Sequence, residues 1–431
     1  AIVRPGPIQG DMVHPYLRRR NGEEAVTYPS AALERVLERT LGVPLFQEQA
    51  MQIAIAAAGF TPDEADQLRR AMATFRNLGT IHRFRDKLIE GMVERDYDRD
   101  FAERCFRQIE GFGEYGFPES HAASFALLVY VSAWIKCHHP AVFAAALLNS
   151  QPMGFYAPAQ IVRDAREHGV IVWPPDVNAS LWDCTLEPCA ESAGGVALRL
   201  GLREVKGLKP DDAEAVVAAR EAGNARPFET IEEIARRARL GPAPLERLAE
   251  ADGFASLGVP RRDALWQARA IEPPAPLLAG AEGDLFAEPA PELPAMTLGE
   301  QVVADYAALA LSLKAHPMAL LRAEIAALRC TDTRALLAAR PGSRVRLAGL
   351  VLVRQRPGSA KGVVFVTIED EFGIANLVVM PDVLRRCRAA ILGARLMVVE
   401  GVIERQDYGA APIIHLRARR IENRTDLLGV L

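Results

Sequence analysis

The spacing of apolar positions in this chain changes at Arg344, from a helical period to a period of two. Before Arg344 the apolar residues recur at helical spacing, as in residues 46–58, which have one apolar and one polar face. After Arg344 apolar and polar residues alternate, which is typical of half-buried strands. The pattern predicts a multidomain α+β protein that is mostly helical at first and ends in a β module.

A helix start is encoded in residues 61–64, which read Thr-Pro-Asp-Glu. Thr is a preferred N-cap, Pro suits the first helical position and Glu completes a capping box. The helix that follows presents Arg69 and Arg70, which point about 100° apart and cannot both enter a core. Their guanidinium groups match phosphate oxygens, and an ion pair with Asp63 or Asp66 is the structural alternative.

A longer apolar run at residues 122–135 predicts a buried helix. Residues 136–140, which read Lys-Cys-His-His-Pro, interrupt it too soon for the run to span a bilayer. A glycine-flanked turn at residues 115–117 (Tyr-Gly-Phe) leads to Ser120 and His121 at the start of the run. Buried polar groups need partners, so these two side chains are either satisfied inside the fold or face a ligand. Local physics leaves both possibilities open.

Alternating aspartates at positions 96, 98 and 100 raise the question of a metal site. An EF-hand loop would need Gly at position 101 and Glu at position 107, where the chain has Phe101 and Arg107. We interpret the acidic stretch as the solvated start of a helix at residues 101–109, with metal binding as the alternative. No metal site is therefore expected in this chain.

Residues 201–211 carry a helix-hairpin-helix signature. The turn reads Val205-Lys206-Gly207-Leu208, and Lys209 precedes a new helix start. Backbone N–H groups at such a helix start can bind a DNA phosphate. Tight helix packing without a ligand is the alternative. A weaker second half of the motif is predicted across residues 245–258.

Composition places the chain among ordinary globular proteins, with 50% hydrophobic and 25% charged residues and a net charge of −4. Its six cysteines are scattered without a CxxC pair, which indicates reduced thiols, a cytoplasmic location and no zinc site. The sequence opens without Met and in the middle of a pattern, so we expect a fragment of a longer protein.

Residues 271–300 contain six acids and no Lys or Arg, and are rich in Pro and Ala, which predicts a linker. Within it, residues 282–286 form a short apolar island. Such an island is typical of a docking peptide, and packing onto its own domain is the alternative. Its sequence is Glu282-Gly283-Asp284-Leu285-Phe286.

Five strand candidates follow Arg344, with a helical segment near residues 382–392 between the third and the fourth. This order predicts a five-stranded OB-fold β-barrel, a common binder of single strands. The strand candidates are residues 345–353, 363–369, 374–380, 395–404 and 413–421.

Aromatic residues that could stack on bases are few in this module, namely Phe365, Phe372 and Tyr408. Residues 341–422 carry thirteen Lys or Arg residues against eight acids. A basic module behind an acidic spacer suits a nucleic-acid partner, and an ordinary imbalance of surface charge is the alternative. Any DNA binding should therefore depend on the cations of the module. These are Arg354, Arg356, Lys361, Arg405 and Arg417.

The order of these motifs resembles the bacterial C-family DNA polymerases, which comprise the replicative alpha subunits of DNA polymerase III and their error-prone relatives. The resemblance covers nearly the whole chain, because the helix-hairpin-helix and the OB segment follow in the order of the family. The residues that carry it are Arg4-Pro5-Gly6-Pro7, Gln47-Glu48-Gln49, Arg69-Arg70-Ala71-Met72 and Tyr115-Gly116-Phe117 with Ser120-His121.

Two departures from the replicative pattern resemble the error-prone, damage-tolerant branch. Replicative relatives typically have Asn-Lys where this chain has Pro118-Glu119, and a basic run where it has residues 73–76. Both changes remove positive charge near the nucleotide site that the resemblance implies. The clamp-binding peptide of replicative relatives begins with Gln, so Glu282 makes residues 282–286 a degenerate version. Recruitment by an accessory adaptor protein of a mutagenesis complex is therefore expected instead of direct clamp binding.

The resemblance implies the C-terminal part of a DNA-directed DNA polymerase, whose palm with three catalytic aspartates and Mg²⁺ precedes this chain. The chain alone is then expected to lack catalytic residues and activity. The nucleotide-binding residues implied are Arg4, Gln47, Gln49, Arg69, Arg70, Ser120 and His121. Lys206, Gly207, Lys209 and the cations of the OB module would bind DNA.

The expected domains are a fingers region, a helix-hairpin-helix DNA-binding region, a linker, connecting helices, an OB-fold and a tail. Their ranges are 1–175, 176–270, 271–300, 301–340, 341–423 and 424–431.

We expect the intact protein to perform translesion synthesis during damage-induced mutagenesis in the bacterial cytoplasm, associated with the nucleoid. Its partners would be primer-template DNA, single strands, dNTP and the adaptor, with no membrane. A non-catalytic single-strand DNA-binding protein is one alternative. A repair nuclease or ligase with the same DNA-binding modules is the other.

Overall fold

The computed structural model describes most of the chain. The described residues are 13–72, 83–111, 119–153, 156–222, 226–271, 293–357, 360, 362–408 and 411–431. Arg4, Lys361 and the peptide at residues 282–286 lie outside them, as does the turn at residues 115–117. The chain divides into two compact units, Ala1–Ser132 and Ala133–Leu431.

The described residues of the first unit form helices and turns, with a short 3-10 helix at Glu38–Thr40. The last helix of this unit continues into the second unit. The helices are α1 (Val13–Arg20), α2 (Ala31–Leu37), α3 (Gln47–Ala58), α4 (Pro62–Met72), α5 (Arg85–Val93), α6 (Arg99–Gly111) and α7 (Glu119–His138).

Local signals place the helix ends of the first unit as the sequence predicts. Thr61 and Glu64 form the expected capping box of α4, because each side chain accepts from the backbone N–H of the other. The Asp98 carboxylate accepts from Phe101 N and begins α6, which confirms the predicted helix start. The core of the unit is apolar and contains Leu33, Ile53, Leu68, Leu88 and Met92.

The helix α7 has the predicted position. The prediction that it is buried is wrong for the part of the chain that the structure describes. None of its twenty residues, all of which the structure describes, is buried. Its apolar side chains contact solvent on every face, because no described element covers them. Among the described residues, no helix combines the length and apolar character needed to cross a bilayer.

The second unit begins with two helices that pack on a small sheet. The helices are α8 (Pro140–Asn149) and α9 (Pro158–Glu167), and the strands are β1 (Val172–Trp173), β2 (Thr185–Pro188) and β3 (Val196–Arg199). The strand β3 lies in the middle, parallel to β1 and antiparallel to β2. Buried Leu148, Ile161 and Leu198 join these elements into one core.

Further helices follow, and those before residue 312 extend the same core, whereas Met318, Leu321 and Ile325 belong to a separate apolar cluster. They are α10 (Pro210–Glu221), α11 (Ile231–Ala238), α12 (Pro242–Glu250), α13 (Arg261–Ala270), α14 (Leu298–Leu309), α15 (Pro317–Leu320), α16 (Arg322–Ala327) and α17 (Arg334–Ala338). Short 3-10 helices at Leu202–Glu204 and Ala255–Leu257 precede α10 and α13. Buried Leu208, Val216, Leu245 and Phe254 contribute to this core, so the hairpin region is part of a packed body.

The C-terminal β module is the predicted OB-fold barrel. Its elements are β4 (Arg344–Gln355), β5 (Val364–Asp370), β6 (Gly373–Val379), α18 (Pro381–Arg386), α19 (Arg388–Gly393), β7 (Leu396–Tyr408) and β8 (Ala411–Asn423). In the described residues these strands close in the order β4-β5-β6-β8-β7, with β6 and β8 parallel. Each strand candidate is confirmed, with ends that shift by up to four residues.

Gly401 shows how closely the backbones approach where the barrel closes. The pairing of β7 with β8 shifts register between Glu400 and Gly401. A Cβ atom at position 401 would lie 2.6 Å from the carbonyl oxygen of Arg417. Glycine is therefore required here, and the bulge bends β7 so that it can also pair with β4.

Candidate nucleic-acid interface

The predicted hairpin is a tight turn that apolar residues anchor from inside. Val205 and Leu208 are buried, whereas Lys206 and Gly207 between them are exposed. Gly207 has φ +81°, in the left-handed region that favours glycine. The backbone N–H of Lys206 donates to the carbonyl of Ala308 at 2.9 Å. The turn is thus fixed to α14 and directs the Lys206 side chain to solvent.

The start of α10 offers backbone N–H groups beside this turn. Lys209 is the N-cap residue, and its side chain makes no capping hydrogen bond. Pro210 at the first helical position leaves the next N–H groups pointing out of the helix end, where they can bind an anion. Asp211 and Asp212 in the first turn oppose this attraction. The positive charges of Lys206 and Lys209 offset these two carboxylates near the helix start.

A cleft of about 480 Å³ opens next to the turn and adds a cation that the sequence did not single out. Arg247 on α12 lines it, and its Nε would lie 3.4 Å from a Cβ atom placed on Gly207. Arg247 forms an ion pair with Glu250 at 2.8 Å. Sequence spacing could not reveal Arg247, because it reaches the turn from the second half of the motif, forty residues later.

A buried ionic network holds the second half of the motif in place. Arg261 of α13 and Asp305 of α14 form a buried ion pair. The ammonium of Lys314 contacts Asp305 at 3.1 Å and Asp252 of the second turn at 2.9 Å. Removal of one partner from a buried pair is costly, so this network positions the second turn against α14.

A second ionic cluster fixes the far end of α10. Arg237 donates to the carbonyl of Ala219 in the last turn of α10 and lies over the Phe228 ring at 4.5 Å. Glu233 binds Arg237 at 3.0 Å and accepts from the backbone N–H of Glu229 at 2.8 Å. The N–H of Glu229, with the guanidinium groups around it, lowers the pKa of the buried Glu233 carboxyl to about 2. Glu233 therefore stays ionised and keeps Arg237 on α10.

The predicted phosphate-binding arginines of the first unit share one carboxylate. Arg69 and Arg70 contact opposite oxygens of Asp66 at 2.8 Å and 2.7 Å. The hydrogen bond from Arg69 lowers the pKa of the Asp66 carboxyl. Both side chains remain partly exposed to solvent. Asp66 thus brings the two guanidinium groups to the same side of α4, although consecutive residues point in different directions.

Gln49, for which a nucleotide contact is predicted, has a structural role in the fold. It is buried, and its amide oxygen accepts from the backbone N–H groups of Leu45 and Phe46. Its amide nitrogen donates to the carbonyl of Val36 and the hydroxyl of Thr40. Both ends of the amide are therefore used to cap α3 and join it to α2. Gln47 is also buried, at the first residue of α3.

We expect Gln49→Leu to lower the free energy of unfolding by about 2–3 kcal/mol, because buried donors would lose their partners. Urea denaturation of the chain measures this. Gln52→Leu is the matched control on the exposed face of the same helix, with an expected change below about 0.5 kcal/mol. Equal changes in the two variants would contradict the structural role of Gln49.

Ser120 and His121 lie exposed in the first turn of α7. The His121 ring packs on Phe125, with the ring centroids 4.3 Å apart. The backbone N–H of Glu119 donates to the Glu48 carboxylate at 2.8 Å, which joins the start of α7 to the start of α3. The exposed end of Arg39 approaches the Glu119 carboxylate at 3.8 Å.

The predicted nucleotide residues come from three helices that approach one another. The helices α3 and α4 contact each other and are connected by residues 59–61. The first turn of α3 contacts the start of α7 through Glu48.

The barrel cations for which DNA contacts are predicted differ in their surroundings. Arg354 donates to the carbonyls of Ile391 and Ala394, so its guanidinium holds α19 against β4. Arg354 is nevertheless exposed, so its DNA contact stays a prediction. Arg417 is exposed and pairs with Glu404 at 3.0 Å, and Arg356 is exposed after β4. Arg405 is half-buried on β7.

The barrel also has a recess that contains an aromatic side chain and could bind a base. A recess of about 250 Å³ contains Phe372, Ile374 and Asn376 at its rim, together with Arg334 of α17. The Arg334 guanidinium lies 3.5 Å from the centre of the partly exposed Phe372 ring. Sequence analysis named Phe372 but missed Arg334, because it precedes the first strand of the barrel.

Comparison with known proteins shows which proteins this chain is similar to. The chain is 56% identical over 439 aligned residues to an error-prone DNA polymerase of Brucella melitensis, with 99% of this chain and 40% of the relative covered. An error-prone DNA polymerase of Sinorhizobium medicae is 55% identical, with 100% of this chain and 40% of the relative covered. Residues 1–96 match the bacterial DNA polymerase III alpha subunit finger domain. Over nearly its whole length, this chain is similar to error-prone DNA polymerases.

The chain spans about 40% of the length of these curated relatives. Its residues 169–264 match a helix-hairpin-helix motif, which confirms the motif predicted from the turn at Gly207. A crystal structure of asparaginyl-tRNA synthetase from Pyrococcus horikoshii is similar over 22% of the chain, with 22% identity and a TM-score of 0.18. A TM-score this low supports no inference about the fold or the function of this chain.

Cysteine and acidic residues do not build a metal centre in the described part of the polymerase chain. All six cysteines are described and free of disulfides. Among the described residues, no group of three or more His, Cys, Asp or Glu side chains could hold a metal ion. The residues present therefore do not fit a magnesium centre, and no catalytic step is assigned to them.

Proposed function

We propose that this chain is the part of an error-prone DNA polymerase that binds the incoming dNTP and the primer-template. The intact enzyme would extend primers across damaged templates in the bacterial cytoplasm. The observation that carries this proposal is the hairpin at Gly207, which lies in a match to the helix-hairpin-helix motif, in a chain similar to error-prone polymerases over its whole length. The catalytic carboxylates and their Mg²⁺ would come from the remainder of the enzyme.

Nucleotide binding is proposed for the arginine pair of the first unit. A triphosphate offers several anionic oxygens, and two guanidinium groups fixed on one side of α4 match them better than one. Ser120 and His121 would contact the same nucleotide from the start of α7. Asp66 would compete with the triphosphate for both arginines, so we expect the affinity for the nucleotide to be low.

Duplex binding is proposed for the hairpin and single-strand binding for the barrel. Lys206, Lys209 and the N–H groups of α10 would contact backbone phosphates without reading sequence. On the barrel, Phe372 would stack on a base while Arg356 and Arg417 approach the phosphates. Recruitment by an adaptor protein remains part of the proposal. The degenerate clamp peptide at residues 282–286 lies outside the described residues.

The proposed polymerase is tested by primer extension with the intact protein, in the presence of Mg²⁺ and after chelation by EDTA. We expect extension that depends on Mg²⁺, and none from the 431-residue chain alone. Failure of the intact protein to extend any primer would contradict the proposal. Extension by the chain alone would contradict the division of roles between this part and the remainder.

A single-strand DNA-binding protein without catalysis is the second candidate, because the aromatic pocket of the barrel favours it. The two candidates differ in the first unit, where only a polymerase needs a nucleotide site. Binding of dNTP that depends on Arg69 and Arg70 would favour the polymerase. Binding of single strands without any dNTP binding by the intact protein would favour the alternative.

We expect Phe372→Ala in the intact polymerase to weaken single-strand binding by about 1 kcal/mol, or about fivefold, because one stacking surface is lost. Fluorescence anisotropy with a labelled oligonucleotide measures the Kd. Val430→Ala, at another exposed apolar position, is the control and should leave the Kd unchanged. An unchanged Kd for Phe372→Ala would show that single strands bind elsewhere.

A further inference from the structure

The helix α7 exposes apolar side chains around its whole circumference. Residues 127–131 are Leu-Leu-Val-Tyr-Val, and their exposed fractions range from 44% to 72%. Consecutive residues of a helix are about 100° apart, so five of them cover every direction around the axis. The apolar surface of α7 is therefore a full cylinder and not a stripe.

The next helix shows what ordinary packing looks like in this chain. Ala141, Ala144, Ala145 and Leu148 of α8 are buried at the spacing of one helix face. Val142 on the same helix is exposed, so α8 has one inner and one outer side. Both helices are rich in apolar residues, but among the described residues only α8 has buried side chains.

A helix that is apolar on all sides needs partners on all sides. Such helices are typical of the interior of a large protein, where several elements surround them. A second copy of this chain in a symmetric pair would cover one stripe and leave the opposite side in water. The chain spans only about 40% of the length of its relatives, so a much larger body of protein is available to enclose α7.

We propose that α7 is an internal docking helix that the remainder of the same polymerase encloses. The proposal rests on the proposed function only in that this chain is one part of a longer polymerase. Ser120 and His121 lie in the first turn of this helix, so the enclosure would also fix their position. The remainder of the enzyme would thereby order one edge of the nucleotide site through α7.

Two leucines of equal exposure allow a direct test. Leu128 on α7 is 56% exposed and Leu392 on α19 is 57% exposed. Leu128→Cys and Leu392→Cys are introduced together into the intact polymerase and, separately, into the 431-residue chain. Reaction with a maleimide is followed at the level of single peptides by mass spectrometry, which separates these positions from the native cysteines.

In the 431-residue chain the two cysteines should react at similar rates. In the intact polymerase we expect the cysteine at position 128 to react at least about tenfold more slowly than the one at position 392, because it reacts only after local opening. Equal rates in the intact polymerase would overturn the proposal. Protection in the 431-residue chain that grows with its concentration would also overturn it, since a second copy would then be the partner.

Primer extension by the same protein samples keeps this inference separate from the proposed function. Slow reaction at position 128 without any extension would support the docking of α7 and contradict the polymerase assignment. Extension with fast reaction at position 128 would support the polymerase and overturn the docking.

Discussion

Arg69→Ala in the intact polymerase is expected to raise the KM for the incoming dNTP about tenfold to a hundredfold, because a hydrogen bond to a charged group contributes about 1.5–3 kcal/mol. The Kd for primer-template should change far less, since the DNA contacts are assigned to the hairpin and the barrel. Steady-state primer extension gives the KM and fluorescence anisotropy gives the Kd. Arg70→Ala should behave in the same way.

Two further variants make this result specific. Asp66→Asn removes the carboxylate that competes for both arginines, so it should lower the KM or leave it unchanged. Arg104→Ala removes an exposed arginine of α6 and should change neither constant. An equal loss of dNTP and DNA binding in Arg69→Ala would contradict the triphosphate role.

Gly207→Ala is expected to weaken duplex binding about tenfold, because a side chain at φ +81° costs about 1–2 kcal/mol and distorts the turn beside Arg247. The loss should be similar for duplexes of different sequence, since phosphates and not bases are contacted. Anisotropy titrations with two unrelated duplexes measure it. Lys206→Ala should also reduce the slope of log K against log salt by about 1.

Gly342→Ala is the matched control for the hairpin glycine. Gly342 has the same φ of +81°, and no atom lies within 4 Å of a Cβ atom placed there. The backbone strain should therefore be similar in the two variants, while Gly342 lies before the barrel and outside the hairpin. A comparable loss of DNA affinity in Gly342→Ala would attribute the effect to stability and not to the turn.

Local sequence was sufficient for the elements with strong short-range signals. The capping box at Thr61, the start of α6 after Asp98 and the strands of the barrel are confirmed, because neighbouring residues determine them. The hairpin at Gly207 belongs to the same class, since a left-handed residue between two apolar anchors defines the turn. The ends of strands shifted because pairing with other strands extends them.

The candidate site was less predictable, because it depends on which side chains meet. Gln49 and Arg354 were expected to bind nucleotide and DNA, and both also form hydrogen bonds to backbone groups that the sequence did not reveal. Arg247 and Arg334 were not identified, because they reach their sites from distant parts of the chain. A sequence shows which hydrogen-bonding groups a side chain has. It does not show which partners those groups contact in the folded protein.

The sequence by itself determined the order of the modules, the hairpin, the barrel and the resemblance to the polymerase family. These follow from periodicity and short motifs, which act over a few residues. Only the tertiary structure decided that Arg69 and Arg70 share Asp66, and that α7 is exposed instead of buried. The apolar run at residues 122–135 predicts a helix that is stable when buried. Which elements bury it depends on packing between distant segments of the chain.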